Sequence, residues 1–248
     1  MEGHQQPIDP GSFSIEHEAP PSPTLICGFS AFGLAGLVAA DFLVKQLALE
    51  ETGHIVTDAL APFTPFEDGV PRHHSRLFST PESAVSVLVN DLFVPPWATD
   101  PFATAILEWG DENAVEEVTV LVGAPFAHTE DQHVVSYIAT EDYREHRLAG
   151  SDLPPMRTGY LEGINASLVS RGIDSTLRVG LLVTPVHAQP PDVDAAIRLV
   201  EVVSDLYGFD VDAGPLDSFA TAVEQHYQDL GRKVAEEPGS APEDRMYM

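Results

Sequence analysis

The sequence predicts an α/β fold, a three-layer α/β/α sandwich around a mainly parallel sheet. Three observations predict it. Short continuous apolar runs, such as Leu181-Leu182-Val183, have the pattern of strands buried on both faces. Other segments carry apolar residues at helical spacing, as at Val193, Ala196, Ile197, Val200 and Val203. The two patterns alternate along the chain, which is how helices come to cover both faces of a sheet.

The elements follow in order. Residues 1–23 are polar and proline-rich, with Phe13 and Ile15 alternating with serines as in a short edge strand. Residues 24–27 form a buried strand, Gly28 follows, and a helix over 32–47 aligns Leu34, Leu37, Val38 and Phe42. A strand is expected over 54–59, a loop rich in proline and histidine over 61–75, and a strand over 85–92. Asp100 before Pro101 marks a helix start, an N-cap followed by proline at the first helical position. Ala103, Ile106 and Leu107 give that helix its apolar face.

A buried strand over 117–122 ends at Gly123, and another strand is expected over 134–139. Residues 144–155 are polar, end in Pro154-Pro155 and read as a loop. A helix over 160–170 aligns Leu161, Ile164 and Leu168, and the strand over 177–184 is closed by Pro185. Asp192 caps a helix reaching to about residue 207. A final helix over 216–234 aligns Phe219, Ala220, Val223, Tyr227 and Leu230. Residues 238–248 carry two prolines and two acids and are expected to project. The predicted organisation is an N-terminal segment over 1–23, one α/β domain over 24–234 and a tail over 235–248.

Charge limits the partners. The 248 residues include 12 basic and 39 acidic side chains, for a formal net charge of −27, and lysine occurs only at Lys45 and Lys233. The acid is spread along the whole chain, a pattern suited to concentrated salt, where neighbouring carboxylates are screened. Nucleic acid and anionic membranes would be repelled. Cys27, the only cysteine, lies in the run Leu25-Ile26-Cys27 and reads as a small core residue. No several-thiolate zinc site is possible. Residues 1–10 lack a signal-type apolar region, and the apolar stretch over 34–47 is broken by Asp41 and Lys45. A soluble, cytoplasmic protein is expected.

Candidate motifs meet bland alternatives. Gly28, Gly33 and Gly36 sit between a strand and a helix, where nucleotide-binding glycines sit. Leu34 and Ala35 occupy the places of the phosphate-loop Lys and Ser or Thr, however, and Ser30 stands where a dinucleotide fingerprint needs glycine. The expectation is a tight turn with close helix–strand packing. His128, Glu130, Asp131 and His133 have no zinc-like spacing and read as a solvated loop. No G-x-S-x-G elbow is present. No catalytic residue, metal site or cofactor is expected.

The run Gly28-Phe29 with Gly33-Leu34-Ala35-Gly36-Leu37-Val38 resembles the opening signature of the proteasome assembly chaperone 2 family. Other pieces resemble that family in order: Val118 to Gly123, then Gly159-Tyr160-Leu161-Glu162-Gly163, then Asp192-Val193-Asp194. Ser30-Ala31 stands where the family pattern has proline-glycine. The resemblance implies a nucleoside phosphorylase-like α/β fold without its catalytic site. It also implies association with itself and with proteasome α-subunits, and no cofactor. The closing residues Met246-Tyr247-Met248 resemble the hydrophobic–tyrosine–any ending by which proteasome activators enter pockets between α-subunits. Such an ending offers an apolar side chain, an aromatic ring and a carboxylate. A fully extended stretch over 238–248 spans at most roughly 35 Å. The alternative on the same fold is a nucleosidase or an ATP-dependent ligase, against which the missing phosphate loop counts.

Overall fold

The computed structural model describes residues 13–60, 62–126, 129, 133–187, 191–216 and 218. Its centre is strand β2 (Thr24–Phe29), whose six residues are all buried. β2 pairs in parallel with β7 (Val85–Asn90) and with β8 (Glu117–Ala124), and β8 pairs in parallel with β10 (Arg178–Pro185). These strands are rich in valine and leucine, as strands covered on both faces must be.

The sheet is mixed, which corrects the expectation of a mainly parallel one. Its order is β1-β3-β6-β7-β2-β8-β10-β9. β1 (Phe13–His17), β3 (Glu50–Thr57) and β6 (Ser75–Ser79) join β7 through successive antiparallel pairings. β9 (Ser136–Ala139) pairs antiparallel with β10 on the other side. β1 occupies a sheet edge, as the alternation at Phe13 and Ile15 predicted.

Side-chain alternation along β2 divides the core between the two faces. Leu25, Cys27 and Phe29 pack beneath α2 (Thr99–Glu112) and α4 (Gly163–Ile173), with Phe102, Ile106 and Leu168. Ile26 faces α1 (Ala35–Gln46) and α5 (Val193–Tyr207), with Leu43, Leu199 and Val203. Helices therefore cover both faces. Cys27 is fully buried, which pushes its thiol far above its ordinary range, and it serves as a core residue.

Several expected boundaries shift. α2 begins at Thr99 behind Ala98, and Asp100 lies in its first turn instead of capping it; both Asp100 oxygens accept bonds from Arg171, at 2.9 and 2.6 Å. α4 begins at Gly163, leaving Tyr160 outside the helix and fully exposed. The expected loop over 144–155 overlaps α3 (Glu141–His146). The expected loop over 61–75 contains a two-stranded hairpin, β4 (Phe66–Glu67) with β5 (Val70–Pro71), and ends on β6. Of the final helix expected over 216–234, only Leu216 and Ser218 lie among the described residues, and Leu216 is buried.

One charged group sits deep in the sheet. Glu117, at the start of β8, is 1% exposed. Its Oε1 accepts from Arg147 Nε at 2.8 Å and from the Tyr207 hydroxyl at 2.9 Å, while Arg178 Nε stands 3.6 Å from Oε2. Thr119 Oγ1 links the Tyr143 and Tyr207 hydroxyls at 2.7 and 2.6 Å, and the Arg147 guanidinium lies 4.2 Å over the Tyr207 ring. The network ties α3 and α5 to the amino ends of the parallel strands. Burial works most strongly against the Arg147 charge, but its bond to Glu117 and the attraction of Tyr207, Glu117 and Tyr143 together outweigh that cost.

Candidate functional site

β7, β2, β8 and β10 all point the same way, so their carboxyl ends form one edge of the molecule. In open α/β sheets that edge is where binding loops gather. The turn after β2 is built here. The Ser30 amide donates to the Asn90 carbonyl at 2.9 Å, and the Leu34 amide to Ala31 at 3.0 Å. Gly33 has φ of 71° and Leu34 has φ of 55°, both left-handed, which bends the chain from strand into helix. A short 3-10 turn, Phe32–Leu34, thus precedes α1 where one continuous helix was expected.

The four predicted motif residues come together in this turn. A side chain at Gly36 would overlap the Leu121 carbonyl oxygen, and one at Gly28 would overlap the Ala40 methyl group. A Cβ at Gly33 would lie 2.8 Å from Val186 Cβ. Phe29 is buried and meets Phe102 edge-on at 6.0 Å; Phe102 in turn meets Phe13 at 5.4 Å. The space beside these glycines is filled by protein, whereas a phosphate cradle needs it open. Gly36→Ala should therefore lower stability by about 1–3 kcal/mol, since α1 must move off β8. Urea unfolding measures the loss, and titration calorimetry of the wild type with ATP should give no micromolar binding.

A second group caps the same edge. Asp192, foreseen as a helix cap, accepts the Ala195 amide on Oδ1 at 2.9 Å. Its Oδ2 accepts the His187 amide at 2.6 Å and the His187 ring Nδ1 at 2.8 Å, and its own amide donates to the Gly33 carbonyl at 2.8 Å. Burial pushes the Asp192 carboxyl up, but these donors outweigh it and hold the carboxyl below the usual range. His133 meets the His187 ring edge-on at 5.1 Å. The arrangement fixes a half-exposed imidazole at the start of α5 and ties the loop after β10 to the glycine turn. His187 was not singled out in the sequence; its only signal there was its place between a strand end and a cap.

The loops of this edge also carry exposed aromatic side chains. Phe32, Phe66, Phe93 and Trp97 are 71%, 73%, 69% and 43% exposed. At the opposite end, two open clefts of 290 and 560 Å³ flank the last turn of α4. Their walls include Glu108, Asp111 and Asp174 in the first, and Glu141, Asp142 and Glu145 in the second. The charged side chains of the second are all acidic and repel a nucleotide phosphate, and in the first Arg171 stands among three acids. Among the described residues, no group of three or more histidine, cysteine or acidic side chains could hold a metal, and no helix is long and apolar enough to cross a membrane. His128, Glu130 and Asp131 lie outside the described residues, as do Met246, Tyr247 and Met248.

The PAC2 family profile matches residues 25–230. An uncharacterized protein of Methanocaldococcus jannaschii is 24% identical over 213 residues, covering 86% of this chain and 87% of its own length. The crystal structure of Pyrococcus furiosus PbaA, described as an archaeal homolog of proteasome-assembly chaperone, superposes with a TM-score of 0.82 at 22% identity. That match covers 91% of this chain and 94% of PbaA. Pyrococcus furiosus PbaB, described as an archaeal proteasome activator, superposes with a TM-score of 0.73 at 18% identity, covering 89% and 99%.

Proposed function

Because this chain belongs to the PAC2 family, we propose that it works by binding the proteasome core particle, as an assembly chaperone or an ATP-independent activator, and not as an enzyme. The observation that carries this reading is the PAC2 family match over residues 25–230, to which Met246-Tyr247-Met248 add a candidate contact. Each residue has a task in a pocket between two α-subunits. Met246 fills an apolar groove, Tyr247 supplies ring area and a hydroxyl, and the Met248 carboxylate pairs with a cation. The fold shared with PbaA and PbaB supports the reading, since it is the body that would carry such a tail.

A homo-oligomer suits this role. One tail binds weakly, and several tails on one body raise affinity for a symmetric ring without any new contact. The protein–protein test is co-sedimentation of untagged protein with purified α-subunits and, separately, with mature core particle. Binding to free α-subunits alone would assign assembly; binding to the mature particle would assign activation. Binding to neither, at micromolar concentrations and molar salt, overturns the proposal.

The excess of 39 acids over 12 bases carries a second expectation, that the protein is adapted to concentrated salt. Self-repulsion weakens as ions screen it. The melting temperature should rise between 0.1 and 2 M KCl, and the oligomer should tighten over the same range. Calorimetric melts and light scattering at both salts measure the two effects. A flat profile would mean that the acidic surface only keeps the protein dissolved.

A further inference from the structure

The stretch 58–74 leaves the sheet at the end of β3 and returns to it at β6. Its described residues 62–71 are almost wholly exposed, and its hairpin β4–β5 pairs only with itself. Such a hairpin is marginal alone. Its front end rests on the core through Ala59 and Leu60. Its returning root is held by charged and titratable groups. The Arg72 guanidinium lies 3.0 Å from Asp91 Oδ2, an oxygen shared with Arg76 at 3.4 Å, and the Asp91 amide donates to the His74 carbonyl at 2.7 Å.

Histidines complete the root. The His54 ring of β3 and the His73 ring stack face to face, with centroids 3.6 Å apart and planes 10° from parallel. His74 Nδ1 lies 2.7 Å from Ser75 Oγ, and Ser75 Oγ donates to Asn90 Oδ1 at 2.8 Å. With its proton committed to Asn90, Ser75 accepts from His74, which fixes the Nδ1–H tautomer and leaves Nε2 to gain a proton.

We propose that His54, His73 and His74 form a proton-sensitive clasp that holds the returning root of the 58–74 stretch to the sheet at neutral pH and loosens it in mild acid. The stack is compatible with neutral rings. Two imidazolium rings at that separation repel, and Arg72 and Arg76 add positive charge beside them. The carboxylates facing the cluster are Glu16 from β1, 3.8 Å from His54 Nε2, Glu67 from the hairpin and Asp91 after β7, while Asp41 from α1 faces Arg76 and is shared with Lys45. Glu67, Asp91 and Asp41 are engaged by arginine or lysine, so they offer little compensation for positive charge added to the cluster.

The direction of the effect follows from His74. Burial, then His73, hold its proton affinity below the ordinary value, and Asp91 only partly offsets them. The opened form therefore binds more protons, and the clasp is intact above about pH 6.5 and is lost as pH falls below it. The consequence is that the exposed Phe63, Phe66 and Val70 change their presentation with pH.

Hydrogen exchange read by mass spectrometry on the full-length protein tests this. Exchange of a peptide spanning 72–76 and of the Asp91 amide, corrected for the intrinsic pH dependence of exchange, should speed up at least tenfold between pH 7.5 and pH 5.5. A peptide from β8 should not change. In a His54→Phe, His73→Phe variant, which keeps stacked rings but removes two protons, the pH response should shrink at least threefold. Unchanged exchange in the wild type across this range overturns the proposal without recourse to any variant. An undiminished response in the folded variant overturns it as well.

Discussion

Glu117→Ala will lower stability by about 3–5 kcal/mol, the range for removing one partner of a buried ion pair. The substitution takes the carboxylate from Arg147, deprives the Tyr207 hydroxyl of its acceptor and removes the second of two carboxylates beside Arg178, which keeps Glu116 at 2.9 Å. Burial already pushes the Tyr207 hydroxyl well above its ordinary range, and Tyr143 and Glu117 push it further, so ionised tyrosine cannot replace the lost charge. At about 2–4 °C per kcal/mol for a domain of this size, the melting temperature should fall by roughly 10 °C. Glu117→Gln keeps an acceptor for Tyr207 and should lose less. Because the site is buried, molar salt should not restore Glu117→Ala, in contrast to the salt response of the acidic surface. A loss below about 1 kcal/mol would mean that Arg147 finds another partner.

Tyr247→Ala should weaken binding to the core particle by about 2 kcal/mol per tail, or roughly 30-fold, if the ring is the anchor of the contact. Avidity multiplies the loss when several tails engage at once. A short extension after Met248 should weaken binding comparably, because it replaces a carboxylate with a peptide bond where a charge is expected. Circular dichroism and melting temperature should stay at wild-type values for both changes, since the last predicted apolar stripe ends at Leu230. Surface plasmon resonance against immobilised core particle measures the affinity.

The sequence made the central strands legible because they obey simple patterns. β2, β8 and β10 are apolar runs closed by glycine or proline, and Asp192 announced α5 by its capping chemistry. β6 was not legible. Its sequence Ser75-Arg76-Leu77-Phe78-Ser79 looks like a loop, yet all five residues are buried, because Asp91 neutralises Arg76 and the guanidinium lies 5.1 Å over Phe78. Missing β6 made the path from β3 to β7 look like one long connection, which is why the sheet was expected to be mainly parallel. α3 was hidden similarly, since Tyr143 alone turns inward from a polar six-residue helix.

At the candidate site, the glycine turn was legible because glycine marks close approach: Gly36 lies against Leu121, and Gly33 against Val186. The pairing of His187 with Asp192 was not, since no sequence pattern announces a contact between residues five apart at a strand end and a helix cap. The histidine cluster was equally hidden. His54 and His73 are far apart in sequence, and only the β3–β6 pairing brings them together.

The most direct measurement compares untagged wild type with a chain lacking Met246 to Met248 in binding to, and peptide hydrolysis by, mature core particle and its α-subunits in molar KCl. The wild type should bind at least one of them, and the shortened chain, equally stable and equally oligomeric, should not. Equal binding by both chains, or binding by neither, would contradict a docking role for the tail.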